Sequence, residues 1–226
     1  MKRGGSAEAK RLAGESAVEL VEDGMVVGLG TGSTAAQAIR ALGDRVDSGL
    51  DIEGIPTSYQ SRERASEAGI PLTTLDEATP DIAIDGADQF AGKALVKGGG
   101  AAHAREKIVD SAADLFLVVA DPTKEAETLD HPVPVEVLPD ARSPVSASVE
   151  RLGGRPQLRA AERKDGPVVT DNGNLVLDCE FGEIDTPGEL AAELSALPGV
   201  VEHGLFVDVA DEIHIGSTDG VRVVPK

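Results

Sequence analysis

Apolar positions Leu12, Ala13, Ala17, Leu20 and Val21 recur at helical spacing, and the run MVVGLG that follows reads as a short buried strand. A Gly-rich turn, Ser/Thr caps and a helix closed by Gly43 are predicted from GTGSTAAQAIRALG. DIEGIPTS and DIAIDGAD read as further strands with a helix, SRERASEAG, between them. LFLVVAD, Leu115 to Asp121, reads as another strand after a helix that carries Glu106. Strands alternating with helices at this spacing predict an α/β fold, a mostly parallel sheet covered on both faces.

From about Leu129 the pattern changes. VPVEVL is a strand, SPVSASVERLGG a helix and PQLRAA a strand; VVTDNGNLVLDCEF is a hairpin whose turn falls at Asn172 and Gly173. TPGELAAELSALPG then predicts a helix with Thr186 as cap and Pro187 at its first position, and VVEHGLF another strand. Strand, helix, strand, strand, helix, strand is the split βαβ order. The expected division is therefore a domain of residues 1–128 plus 206–226 and a smaller α+β domain of residues 129–205, with DEIHIGSTDGVRVV returning to the first sheet.

Composition narrows the function. A net charge of −19, aromatic residues at 2% and no tryptophan argue against a nucleic-acid surface of basic patches and stacking rings. Such an excess of acid keeps a protein solvated in high salt. No apolar run is long enough for a membrane span, and MKRGGSAEAKR lacks the apolar stretch of a secretory signal, so a cytoplasmic protein with no membrane partner is expected. The single cysteine, Cys179, excludes an internal disulfide and makes a poor metal ligand; a half-buried strand position is its expected role.

Three motifs carry candidate chemistry. KGGGAAHAREKIV sets Lys97, then Gly98, Gly99 and Gly100, before a helix start bearing Arg105, Glu106 and Lys107. Glycines let a backbone approach a ligand, and the N–H groups of a helix start favour an anion. A carboxylate beside such a site and partly shielded from water can have its pKa raised into the range useful for moving protons. The bland alternative is a solvated glutamate paired with its neighbours. GLGTGST, with Thr31, Gly32, Ser33 and Thr34, joins a strand to a helix and suits a phosphate, or is simply a capped turn. A nucleotide cofactor is disfavoured because Ser33 stands where the dinucleotide fingerprint wants a third glycine. DGAD, Asp85 to Asp88 with Gly86 and Ala87 between, is either a turn or a pair of ligand-binding carboxylates where parallel sheets place their ligands. Lys97 and Lys124 are surface lysines or local cations kept for an anionic substrate in an otherwise acidic chain.

Together the strings GTGSTA, TSYQSRERA, DGADQ, KGGGAAHAREKIV, VPVEVLPDARSPV and SALPGVVEHGLF resemble ribose-5-phosphate isomerase of the A type, in that family's order and over nearly the whole chain. The resemblance implies a Rossmann-like catalytic domain with a small ferredoxin-like α+β domain, a homo-oligomer (dimer or tetramer), no cofactor and no metal. It also implies a sugar-phosphate substrate, ribose 5-phosphate interconverted with ribulose 5-phosphate. By the same resemblance Glu106 is the base that shuttles a proton between C2 and C1, and Lys97 with the Gly98–Gly100 backbone stabilises the oxyanion. Asp85 and Asp88 hold sugar hydroxyls and assist ring opening. Thr31 to Thr34 and Lys124 contact the ligand, with Lys124 and Lys10 near the phosphate. Tyr59 and Gln60 fall in a variable stretch, and Gln89 follows DGAD where an acid is commoner, which bears on fine specificity. The chemistry also stands on the residues alone, since aldose–ketose isomerisation needs one base reaching two carbons, an electrophile at the oxygens and a phosphate grip. A nucleotide-dependent oxidoreductase and a sugar-phosphate-sensing regulator domain are the rival readings.

Overall fold

The computed structural model describes residues 5–225; Met1 to Gly4 of the N-terminal stretch and Lys226 at the end of the first expected domain lie outside the described residues. Two compact units divide the chain, one of residues 1–87, 105–125 and 209–226, the other of residues 88–104 and 126–208.

The first unit begins with α1 (Ala7–Val18), whose N-cap Ser6 accepts a hydrogen bond from the Ala9 N–H. β1 (Val26–Leu29), α2 (Ala35–Asp47), β2 (Glu53–Pro56), α3 (Tyr59–Glu67) and β3 (Ile82–Gly86) follow. The chain then leaves for β4 (Gln89–Ala91) and β5 (Ala94–Val96) of the second unit and returns along α4 (His103–Ala112) into β6 (Leu115–Ala120). β12 (Glu212–Ser217) and β13 (Gly220–Pro225) complete the unit, so the C-terminal segment does return to the first sheet. The sheet order is β13-β12-β6-β3-β1-β2, parallel throughout except for the β12–β13 edge hairpin. β3 and β6 are buried almost end to end, as a sheet covered on both faces demands.

Close packing, not turn chemistry, explains several small residues here. Gly43 does not close α2, which runs on to Asp47; a Cβ on Gly43 would stand 2.7 Å from the Ala68 Cβ, so the glycine lets α2 approach the end of α3. Gly14 of α1 likewise leaves no room for a Cβ against the Ala38 N of α2 at 2.7 Å. Leu20 falls outside the expected helical stripe: α1 ends at Val18, and Leu20 is 42% exposed. Ser33 and Thr34 are not side-chain caps, since Thr34 holds the N-cap position of α2 with helical angles and makes no capping bond.

His214, on β12, is buried between Ser16, whose Oγ lies 2.9 Å from Nδ1, and Glu212, whose Oε2 lies 3.2 Å from Nε2. Burial lowers its pKa from the ordinary 6.5, against the raising effect of Glu212. The unfolded chain then binds the proton more readily than the folded one, so the stability held by neutral His214 is present above pH 6.5 and lost as pH falls below it. The melting temperature of wild type should therefore fall more between pH 7.5 and pH 5.5 than that of His214→Gln; equal slopes for the two would remove His214 from the account.

In the second unit, β7 (Val133–Val137), α5 (Arg142–Arg151), β8 (Arg155–Leu158), β9 (Leu175–Glu180), α6 (Pro187–Ser195) and β10 (Val200–His203) give the predicted order. Their sheet is fully antiparallel in the order β10-β7-β9-β8, the ferredoxin-like arrangement. The expected hairpin about Asn172 and Gly173 shrinks to one bridge between Val169 and Leu175, because β9 takes β7 and β8 as its partners. Thr186 is the N-cap of α6 and Pro187 its first residue, though the Thr186 side chain makes no capping bond. Cys179 is fully buried on β9, not half-buried, and burial together with Asp178 pushes its thiol pKa up to about 12, which leaves it an unreactive core residue.

VVEHGLF is two strands. β10 ends at His203, and β11 (Leu205–Val207) pairs with β5 in a separate sheet of order β11-β5-β4. Gly204 makes the crossing: its N–H donates to the Pro134 O at 2.7 Å, and its own O accepts from the Lys97 N–H at 2.8 Å. A Cβ at Gly204 would collide with the Lys97 carbonyl. The β4–β5–β11 sheet thus anchors the backbone from which the glycine loop departs.

Candidate active site

In the first unit the chain passes from β1 to β2 on one side and then to β3 on the other, so the sheet's topological switch point lies between β1 and β3. Open α/β sheets bind ligands outside the carboxyl ends of the strands at such a point. GTGST leaves the end of β1 there and Asp85 stands at the end of β3. The Gly30 N–H donates to the Ile84 O at 3.0 Å, and Asp85 Oδ1 accepts from the Thr31 N–H at 2.9 Å and from the Gly86 N–H at 2.6 Å. A Cβ on Gly30 would collide with the Asp85 carboxylate, so the glycine is a requirement of the close approach.

The rest of the GTGST turn is held by polar contacts. Thr31 Oγ1 lies 2.9 Å from Thr57 Oγ1 and donates to Ser58 Oγ at 2.7 Å, the Gly32 O accepts from Arg64 at 3.1 Å, and Gly32 has φ 111°. Lys10 Nζ donates to Ser33 Oγ at 3.0 Å, so an ammonium from α1 stands at the turn. Lys124 ends the 3₁₀ turn Pro122–Lys124 just after β6, whose N-cap Asp121 accepts from the Thr123 N–H at 3.0 Å. The loops after β1, β3 and β6 therefore bring Thr31, Gly32, Ser33, Thr34, Asp85 and Lys124 to one edge of one parallel sheet. Glu106 lies in the first turn of α4 and is only 3% exposed, so its carboxylate is buried and not solvated. Its neighbour Arg105 points elsewhere, over the Tyr59 ring at 6.0 Å from the centroid.

In the second unit the structure brings Asp88 to the glycine loop. Asp88 Oδ2 accepts from the Gly99 N–H at 2.7 Å, and the Asp88 N–H donates to the Val96 O at 2.8 Å. Lys97 is buried at 2% exposure, with Nζ 5.3 Å from the centroid of the Phe206 ring, so it is no surface lysine. Gly98 has φ 105°, and a Cβ there would meet His103 Nδ1 at 2.7 Å; Ala101 also adopts a left-handed φ of 58°. A non-glycine residue in that region carries strain of about 1–2 kcal/mol, a cost that clusters at functional loops. His103 stands in KGGGAAHAREKIV, and Thr57, Ser58 and Arg64 stand in TSYQSRERA, yet their residue types and spacing assign them no role; only the fold puts His103 against Gly98 and the other three on the GTGST turn.

Comparison with known proteins gives the family. The family model described as ribose 5-phosphate isomerase A (phosphoriboisomerase A) matches residues 53–220. The chain is 72% identical to a ribose-5-phosphate isomerase A of Natronomonas pharaonis, over 99% of this chain and 100% of that protein. It is 70% identical to one of Haloarcula marismortui, over 99% of this chain and 98% of that one. Among solved structures it resembles ribose 5-phosphate isomerase A from Methanocaldococcus jannaschii, with 45% identity and a TM-score of 0.93 over 96% of this chain and 98% of that chain. It also resembles a D-ribose-5-phosphate isomerase in complex with phospho-erythronic acid, with 41% identity and a TM-score of 0.95 over 97% of this chain and 98% of that chain. The chain belongs to the ribose 5-phosphate isomerase A family and is an aldose–ketose isomerase that interconverts ribose 5-phosphate and ribulose 5-phosphate.

Proposed function

We propose that Glu106 is the base of the isomerisation and that the reaction runs through an enediolate. On the open-chain aldose the Glu106 carboxylate takes the proton from C2, the C–H electron pair becomes the C1–C2 double bond, and O1 takes the negative charge. Glu106 then returns the proton to C1, O1 gains a proton and O2 loses one, which leaves the ketose. Lys97 and neighbouring backbone N–H groups of the Gly98–Gly100 loop, apart from the Gly99 N–H that Asp88 holds, stabilise the oxygen that gains charge. Asp85 and Asp88 hold sugar hydroxyls and assist opening of the furanose ring. Thr31, Gly32, Ser33 and Thr34 contact the substrate together with Gly86 and Ala87, and Lys124 and Lys10 grip the phosphate.

The observation that carries this reading is the burial of a carboxylate and an ammonium within one motif, Glu106 at 3% and Lys97 at 2% exposure. Glutamate and lysine are almost never buried without a task or a partner that repays dehydration. Phospho-erythronic acid, the compound bound to the similar solved isomerase, is a phosphorylated four-carbon acid whose carboxylate mimics the two oxygens of an enediolate. In this reading residues 1–128 plus 206–226 are the catalytic domain and residues 129–205 the small one, a functional division that differs from the compact units in residues 88–104, 126–128 and 206–208, which pack with the second unit. The enzyme works as a cytoplasmic homo-oligomer on a small sugar phosphate, with no nucleic-acid or membrane partner and no added cofactor or metal. No helix among the described residues is long and apolar enough to cross a membrane.

A coupled assay for ribulose 5-phosphate formed from ribose 5-phosphate, with chelator present and no metal or nucleotide added, tests the metal-free reading. Full activity is expected; activity recovered only with a divalent ion would overturn it. Lys124→Ala separates the phosphate grip from the chemistry. The phosphate does not change charge during the reaction, so loss of its partner weakens ground and transition state alike. KM should rise about tenfold or more with kcat little changed, by the worth of one charge-assisted hydrogen bond. A fall in kcat at unchanged KM would place Lys124 at the reacting end.

A further inference from the structure

We infer that Arg159 is a positioning residue for the isomerisation, holding the glycine loop so that its N–H groups keep the directions the oxyanion needs. Arg159 follows β8 directly, its N–H donating to the Val176 O at 2.9 Å. Its guanidinium makes two pairs of contacts. Nε donates to Asp178 Oδ2 at 2.9 Å and Nη2 to Asp178 Oδ1, a bidentate grip by a carboxylate on the adjacent strand β9. Nη1 donates to the Gly98 O at 2.9 Å and to the Gly99 O at 3.2 Å. Gln157 pairs directly with Asp178, so Arg159, two residues on, is its diagonal neighbour on the same face of the sheet.

The consequence follows from peptide planarity. In a trans peptide the C=O of one residue and the N–H of the next point in opposite directions. Holding the Gly98 O keeps the Gly99 N–H on Asp88, at 2.7 Å, so through this peptide Arg159 positions the Asp88 carboxylate, and holding the Gly99 O fixes the direction of the Gly100 N–H as a donor for the oxyanion. Without Arg159 the Gly98 O keeps its bond from the Ala101 N–H at 3.0 Å and the Gly99 N–H its bond to Asp88, but the Gly99 O loses the Arg159 contact and the Gly99–Gly100 peptide, flanked by glycines, gains freedom to turn. Only a planar fork of five donors can take both oxygens of Asp178 and two carbonyls at once, which an ammonium cannot. Arg159 touches neither substrate nor reacting atoms in this reading; it acts through the loop.

The inference rests on the assignment of the loop to the oxyanion, and its test separates the two. kcat, KM, the inhibition constant of phospho-erythronic acid and the melting temperature are measured for Arg159→Ala, Arg159→Lys, Asp178→Asn and Lys97→Met. Misplacing catalytic groups by about 1 Å costs about 10²-fold. Both Arg159 variants should therefore lose about 30- to 100-fold in kcat, with KM within about threefold and inhibitor affinity falling in step with kcat/KM. Asp178→Asn should lose less, in the same direction. Millimolar guanidinium should restore part of kcat to Arg159→Ala and none to Lys97→Met. If Arg159→Ala does not fold, Arg159→Lys decides. Wild-type kcat in a folded Arg159 variant while Lys97→Met is impaired overturns the positioning role alone. Wild-type kcat in Lys97→Met overturns the oxyanion reading and the inference with it. A lower melting temperature with kcat and inhibitor affinity unchanged per folded enzyme makes Arg159 merely structural.

Discussion

Glu106→Gln is expected to lower kcat by about 10³-fold or more while the KM for ribose 5-phosphate stays within a few-fold, at the upper part of the range for loss of a general base. The change keeps the length and shape of a side chain that is 3% exposed, so packing of α4 is preserved, while one acceptor oxygen becomes a donor. What disappears is the group that accepts the C2 proton and carries it to C1. An amide cannot do either at neutral pH. Because the interaction lost exists only as the proton moves, kcat and kcat/KM should fall together. Steady-state kinetics with the coupled assay give the answer, with the melting temperature as the control for folding. A variant that kept most of the wild-type kcat would put the base elsewhere in the molecule.

Lys97→Met should reduce kcat by about 10²–10³-fold, the usual cost of removing one group that stabilises a developing oxyanion. Methionine keeps most of the length of a side chain whose Nζ lies 5.3 Å from the centroid of the Phe206 ring. The melting temperature, measured alongside, normalises kcat to folded enzyme, so a loss of activity per folded molecule marks a site lysine. If Lys97→Met lost stability and kept its kcat, the ammonium would be holding the β5–β11 region together and the oxyanion would have other donors.

The parts of the fold that were legible in the chain are those written locally. The alternation of apolar runs with helical stripes announced the parallel sheet, and the order of elements from Val133 to His203 announced the ferredoxin-like arrangement. Lys97, the three glycines and Glu106 lie within ten residues of one another, so their chemistry could be read as a unit. β4 and β5 were missed because each is three residues long and neither has a turn signal stronger than Gly92 and Lys93 between them. Gly43 was misread because a glycine that ends a helix and one that admits a neighbouring helix look alike in sequence; only the Ala68 contact tells them apart. Arg159 was passed over as part of a strand, since its partners at Asp178 and Gly98 lie 19 and 61 residues away. The burial of Glu106 and Lys97, which decides between a surface pair and a site, is a tertiary property that no spacing reveals.

The central claim is proton transfer through an enediolate with Glu106 as carrier, and isomerisation in deuterated water tests it most directly. NMR of the products at low conversion should show solvent deuterium at C1 of ribulose 5-phosphate and at C2 of recovered ribose 5-phosphate, to an extent set by how well the occupied site excludes water. In Glu106→Gln the rate of incorporation should fall by the same factor as kcat, and chelator should change neither. Product that carries no deuterium at any conversion, formed at a rate that chelator abolishes and a divalent ion restores, would contradict both the enediolate and the role of Glu106.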